Sequence, residues 1–145
     1  MPTRFLSASE ASALDKWHVI DAGGQPVGRI ATKVATILSG KHRPHYAPFL
    51  VTGDHVVIIN AAKVRLTGQK LDQKVYRWHT LYPGGLREIG ARKVLEGGNP
   101  EMVLREAVLG MLPKNKLRQR MVKRLKIYAA DSHPHAAQRP EPLAL

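Results

Sequence analysis

Seven Lys or Arg side chains fall between Lys114 and Lys126 in the stretch GMLPKNKLRQRMVKRLKIY, and no acid occurs from Ala107 to Ala130. Ammonium and guanidinium groups at this density suit the neutralisation of phosphate oxygens through charge-assisted hydrogen bonds. A solvated protein face normally mixes both signs of charge, so single-sign clustering points to a polyanion partner. Set on a helix, Leu117, Met121, Val122 and Leu125 share one side, suited to docking, while Arg120, Lys123, Arg124 and Lys126 share the other. Arg118 falls among the apolar residues. Either the helix begins after it, or its long side chain reaches past the edge to the partner. Exchange of Arg120, Lys123 and Arg124 for Glu is therefore expected to leave the fold intact.

Other chemistries find less support. Asp21 and Asp54 each sit beside a strand end, where two carboxylates could hold a metal for phosphodiester cleavage. Nothing in the sequence fixes them near each other, and single acids beside turns are ordinary caps. His133 and His135 have no accompanying cluster of Cys, Asp or Glu to complete a metal site. In a basic tail they read as groups that stack on bases or hydrogen-bond to them. Gly23 and Gly28 have the spacing of a phosphate-binding loop, but Arg29 and Ile30 stand where its Lys and hydroxyl belong, and Pro26 removes an amide. A tight turn before a helix is the better reading. Ser39 and Ser132 lack the Gly-x-Ser-x-Gly setting of a hydrolase nucleophile, and the absence of Cys excludes disulfides, thiolate catalysis and Cys-based zinc sites.

The elements that must position the basic run are legible in part. A length of 145 residues, 43% of them hydrophobic, suits one compact domain with a sizeable core. The expected organisation is an arm over 1–14, an α/β core over 15–129 that includes the basic region 114–126, and an extended tail over 130–145. WHVIDA (17–22) and HVVIIN (55–60) read as strands, the second so continuously β-branched that it fits a strand covered on both faces. Between them, Val27, Ile30, Ala31, Val34, Ala35 and Leu38 recur at helical spacing, with Gly40 as the stop and Arg29, Thr32, Lys33 and Thr36 on the opposite face. KHRPHYAPF (41–49) reads as a surface loop, and Asn60 as the cap of a short helix over AAKVRL. KVYRWHT (74–80) is a candidate third strand, followed by the turn YPGG. Two helical pieces broken at Gly97-Gly98 follow, the second capped by Asn99 with Pro100 at its first position. LKIYA (125–129) is the last strand. Strand and helix alternating at this length predict right-handed crossovers and a mostly parallel sheet.

Charge narrows the partner. The chain holds 23 Lys and Arg against 11 Asp and Glu, a net +12 that repels itself unless a polyanion or salt neutralises it. Residues 73–145 carry fourteen basic and six acidic groups, against nine and five in 1–72, so most of the field lies in the C-terminal half. No apolar run approaches the roughly 18 residues of a membrane span, and the first residues lack a secretory segment, so the expectation is a soluble protein that stays inside the cell without a membrane partner. A membrane-surface helix would want Trp or Phe at its apolar edge, and none lies between 107 and 127. The hardware of sequence-specific DNA reading is missing too. Tyr46, Tyr76, Trp78, His79 and Tyr82, interleaved with basic residues, could stack on unpaired bases, although core packing accounts for at least half of them. The expected RNA-facing set is Arg29, Lys33, Lys41, Arg43, Lys70, Lys74, Arg77, His79, Lys114, Lys116, Arg118, Arg120, Lys123, Arg124, Lys126, His133 and His135. A nucleotide- or metal-dependent enzyme acting on nucleic acid is the alternative, to be recognised by turnover lost with Asp21 or Asp54. A basic DNA-compacting protein is a third reading, to be recognised by duplex DNA binding as tight as RNA binding.

WHVIDAGGQPVGRIATKVATILSGKHRPHYAPF, GDHVVIINAAKVRLTGQK, KVYRWHT, PGG, AVLGMLPKNKL, LKIYA and HPHAAQRP, in this order over nearly the whole chain, resemble bacterial large-subunit ribosomal protein L-thirteen. The resemblance implies an α/β fold of three α/β/α layers around a four-stranded, mainly parallel sheet. It implies a structural constituent of the large ribosomal subunit in the cytoplasm, bound to large-subunit rRNA beside neighbouring ribosomal proteins and joining early in assembly. Neither catalysis, a cofactor nor a small-molecule substrate is implied. Gly110, Met111, Leu112, Pro113 and Lys114 form its most diagnostic segment. This chain departs from the family pattern at Leu117-Arg118-Gln119, where Leu-Gly-Arg is usual, at Val51, where Asp is common, and at Ala130, where Gly is usual.

Overall fold

A computed structural model describes residues 5–144, so the first four residues of the expected arm and the last residue of the tail lie outside the described residues. The rest of that arm includes a short helix, α1 (Ala8–Ala13), closed by a capping box in which Ser7 and Glu10 satisfy each other's backbone amides. Strand β1 (Trp17–Asp21) then leads through the turn at 22–26 into helix α2 (Val27–Ser39). The helix follows the predicted periodicity: Ile30, Ala31, Val34 and Leu38 are wholly buried, and burial of each larger aliphatic side chain contributes about 1.5–3 kcal/mol. Gly40 ends it at φ +82°, its amide bonded to Ile37 O and that of Lys41 to Thr36 O.

Strand β2 (His55–Ile59) pairs parallel with β1 from Trp17 opposite His55 to Asp21 opposite Ile59. Strand β5 (Leu125–Ile127) pairs parallel with the other edge of β2, and β6 (Glu141–Pro142) with the outer edge of β1, giving a four-stranded parallel sheet in the order β5-β2-β1-β6. Helix α2 packs along α5 (Glu101–Met111), and Ile20, Val56, Ile58, Leu104 and Val108 fill the space between helices and sheet. Helix α4 (Ala91–Glu96) precedes α5 across the expected break at Gly97-Gly98, and α5 starts just after Pro100.

Three details differ from the sequence reading. KVYRWHT forms a strand, β3 (Val75–His79), but pairs antiparallel with β4 (Leu86–Gly90) in a separate hairpin after the single turn α3 (Lys70–Gln73). Its residues are mostly exposed, and a strand carrying Arg77 and His79 is a poor candidate for a sheet covered on both faces. The short helix expected over AAKVRL shrinks to one 3-10 turn at Ala61–Lys63. Beyond that turn Arg65 pairs with the start of α2, its carbonyl accepting the Val27 amide at 3.1 Å. The basic helix, α6 (Leu117–Lys123), stops earlier than the apolar wheel suggested. Leu125 and Ile127 are buried as strand residues, with Lys126 alternating outward between them. Arg118 lies inside the helix and half-buried, so the helix does not begin after it.

The tail is extended yet ordered. After a 3-10 turn at Ala136–Gln138, Leu143 donates to Val19 O at 2.9 Å, and Pro142 takes an edge position where its missing amide costs nothing in the ladder. The tightest packing lies elsewhere, at Gly53, where a β-carbon would come within 1.9 Å of Leu38 O. Because that obstacle is backbone, Gly53→Ala is expected to cost about 2–3 kcal/mol or to prevent folding, read as a loss of urea midpoint relative to wild type.

Candidate nucleic-acid interface

Two grooves and a hollow on the surface each collect basic residues from separate parts of the chain. Across a groove of about 480 Å³, Thr32, Thr36 and Lys41 face Met111, Leu112 and Pro113, so the polar side of α2 meets the start of the basic run. Thr32 Oγ1 reaches Met111 Sδ at 3.5 Å, while both threonine hydroxyls are bonded back to their own helix. Arg29 and Lys33 are exposed on α2, and Lys114 and Lys116 in the connection between α5 and α6. A second groove, about 420 Å³, brings Arg29, Arg65, Thr67 and Lys70 together at the N-terminal end of α2. A shallower hollow of about 260 Å³ joins Arg105 with Lys123, Lys126 and Tyr128. On α6 itself, Arg120 and Lys123 are exposed. Leu112 and Met121 are buried at either end of the segment, and Lys114, Lys116 and Arg120 between them are exposed.

Two of the expected cations are held inside the protein. Asp54, 1% exposed, accepts the Lys16 amide at 2.8 Å and is bonded to His42 Nε2 at 2.8 Å, His18 Nε2 at 3.2 Å and the Arg43 guanidinium. Arg43 also donates to Leu14 O. Arg124 donates to Gly53 O and stands 2.8 Å from Asp15 Oδ1 as an ion pair. Burial alone would raise the Asp54 pKa, but the Lys16 amide, His18, Arg43 and His42 outweigh it and hold the value below the ordinary 3.8. His55, stacked on Trp17 with ring centroids 4.3 Å apart, is pushed down by burial and by the Arg124 charge.

The histidines of the tail are likewise engaged with the chain. His135 Nε2 lies 2.8 Å from Tyr128 Oη, with its ring 5.1 Å from Trp17, and His133 stacks beside it. Arg77 is paired with Glu88 on the neighbouring strand. Among the described residues no group of three or more His, Asp or Glu is arranged to hold a metal. Asp21 is bonded to the Gly23 amide at 2.9 Å and to Asn60 Nδ2 at 2.8 Å, as an Asx cap would be.

The sequence profile of the family described as Ribosomal protein L13 matches residues 15–134. The chain belongs to this family. It is 56% identical over 130 residues to the Large ribosomal subunit protein uL13 of Thermotoga maritima, covering 90% of this chain and 87% of the relative. Identity is 55% over 141 residues to the protein of the same name from Desulfitobacterium hafniense, covering 97% and 96%, and 54% over 127 residues to that from Rubrobacter xylanophilus, covering 88% of each.

Arg118 sits in the first turn of α6, where its amide bonds to Asn115. Arg65, Arg87 and Arg105 were absent from the residues singled out in sequence, because each stands alone between apolar or acidic neighbours and only the fold brings two of them beside Lys70 and Lys126. The histidines around Asp54 carried no spacing signal at all.

Because the folded Asp54 carboxyl has a depressed pKa, its stabilising effect is complete above the ordinary value of 3.8 and disappears as pH falls through the folded value. Asp54→Asn leaves Arg43 buried without a counter-charge and is expected to cost about 3–5 kcal/mol at neutral pH. Urea unfolding as a function of pH should show that difference narrowing below pH 3.8 as the wild-type carboxylate itself becomes protonated.

Proposed function

We propose that this chain is a structural constituent of the large ribosomal subunit in the cytoplasm, where it binds large-subunit rRNA early in assembly and lies beside other ribosomal proteins. One observation carries the reading. Within the acid-free run Lys114, Lys116, Arg120 and Lys123 are exposed, and so are Arg29 and Lys33 on α2, so α2, the 114–116 connection and α6 each turn cations outward with no acid among those of the run. Such a surface acts through charge: Lys and Arg displace the counterions condensed on RNA phosphates and hold together RNA segments that would otherwise repel. The partners named for the relatives have this chemistry, a large ribosomal subunit built on RNA.

The fold divides the cations by task, so the three replaced together in the sequence reading do not form one class. Arg124 anchors the Gly53 turn, whereas Lys114, Lys116, Arg120 and Lys123 are free to meet phosphate. Exchange of these four for Glu is expected to keep the urea midpoint within about 0.5 kcal/mol per site of wild type. Incorporation should nevertheless be lost, seen as a tagged protein that no longer sediments with the large subunit at either high or low magnesium. Co-sedimentation of the four-Glu protein would reject the basic surface as the RNA contact. Arg124→Ala, by contrast, should lower stability first. For RNA binding, neutralisation of about 6–10 phosphates predicts that affinity falls about 10³- to 10⁵-fold between roughly 50 and 200 mM salt, and a flat salt response would argue against the mechanism.

A further inference from the structure

The β3–β4 hairpin stands apart from the sheet and carries aromatic rings where nothing in the fold needs them. Directly opposed residues share a face of an antiparallel pair, so Tyr76 with Ile89 and Trp78 with Arg87 form two successive rungs of the same face. The inner rung is packed against the core. The outer rung runs past the core into solvent, leaving Trp78 49% exposed and, beyond it in the turn, Tyr82 75% exposed. The turn that presents them is tied down: Thr80 N–H bonds to Gly85 O at 3.0 Å, Gly85 N–H to Tyr82 O at 2.9 Å, and Leu81 N–H to His79 Nδ1 at 2.9 Å.

Cations surround the rings. Lys74, Arg77, His79 and Arg87 lie on the same two strands or at their edge, and no acid occurs from Lys74 to Arg87. Glu88, the one carboxylate on the hairpin, is taken by Arg77, while Arg87 beside Trp78 has no ion-pair partner among the described residues. A protein-docking patch would also present Trp, Tyr and Arg, but would be depleted in Lys such as Lys74. Exposed rings flanked by unpaired Arg87 and by Lys74, whose ammonium lies 5.3 Å over the Tyr76 ring, match a single-stranded nucleic acid, whose bases stack on aromatic faces while phosphates pair with the flanking charges.

We infer that the hairpin is a stacking platform for unpaired RNA bases, with Trp78 and Tyr82 as the contacting rings and Arg87 and Lys74 as phosphate partners. The inference rests on the RNA-binding reading above and adds a second, chemically different contact: the grooves around α2 meet backbone charge, whereas the hairpin takes bases that have left the helical stack. Duplex RNA, whose bases are already stacked, cannot occupy it.

Trp17 and Trp78 are the only tryptophans in the chain, so Trp17→Phe makes emission a reporter of the hairpin alone. Titration of this full-length variant with a short single-stranded oligoadenylate should quench its fluorescence, whereas Trp78→Phe, which retains Trp17 between His55 and His135, should show no quenching. Trp78→Ala combined with Tyr82→Ala should weaken oligoadenylate binding about tenfold by anisotropy and leave affinity for an RNA duplex within about twofold. Oligoadenylate that binds without quenching Trp78, or that binds the double variant unchanged, overturns the platform while leaving the basic-surface reading intact. If the double variant keeps its RNA affinities but loses a neighbouring protein from purified large subunits, the hairpin is a protein contact and the inference is wrong. Failure of wild type to bind either RNA would sink both readings together.

Discussion

Asp54 is the contact on which the arrangement turns. Withdrawing a carboxylate from water costs several kcal/mol, and only a dense set of donors returns it. Those donors come from distant parts of the chain: the Lys16 amide and His18 ring from the approach to and start of β1, His42 and Arg43 from the loop after α2, with Arg124 on the neighbouring Gly53 carbonyl at the end of α6. One buried negative charge thus gathers the N-terminal segment and the first crossover, while Gly53 beside it and Asp15 hold the end of the basic helix. Remove it and Arg43 becomes a buried charge with no counter-charge, in a protein already carrying +12.

That excess governs the distribution of the remaining cations. With 11 acids for 23 Lys and Arg, internal pairing cannot be the fate of most basic side chains. The fold places its carboxylates economically: Asp15 and Asp54 hold Arg124 and Arg43 inside, Asp72 and Glu88 hold Arg92 and Arg77 at the surface. Apart from Arg124, the acid-free run is then left with no internal partner of opposite sign, and Lys114, Lys116, Arg120 and Lys123 project outward from a rigid base. Rigidity matters, because a cation already fixed in place loses less conformational freedom when it meets a phosphate.

Local patterning made α2 readable: its apolar positions, its Gly40 stop and its exposed Arg29 and Lys33 follow from spacing alone. The continuous β-branched run of β2 announced a strand covered on both faces for the same reason. What spacing does not encode is partnership. Val75–His79 has the composition of a strand whichever strand it joins, and its place in the hairpin is set by the turn that follows and by Tyr76 reaching the core. Arg124 and Lys123 are adjacent cations in sequence, and only a carbonyl 71 residues away separates the structural one from the free one. The two-residue β6, containing a proline, carries no pattern at all and is defined by the vacant edge it fills.

Strand β6 pairs with β1, so the first strand to be synthesised is completed by residues from the other end of the chain. During translation, the outer edge of β1 remains open until Glu141, Pro142 and Leu143 have emerged, after α2, β2 and β5. A chain whose β6 has not yet docked therefore carries a nearly finished sheet with one row of backbone donors and acceptors unpaired, exposed to whatever extended chain is nearby. Docking of β6, and not the appearance of the core, is the event that covers that edge.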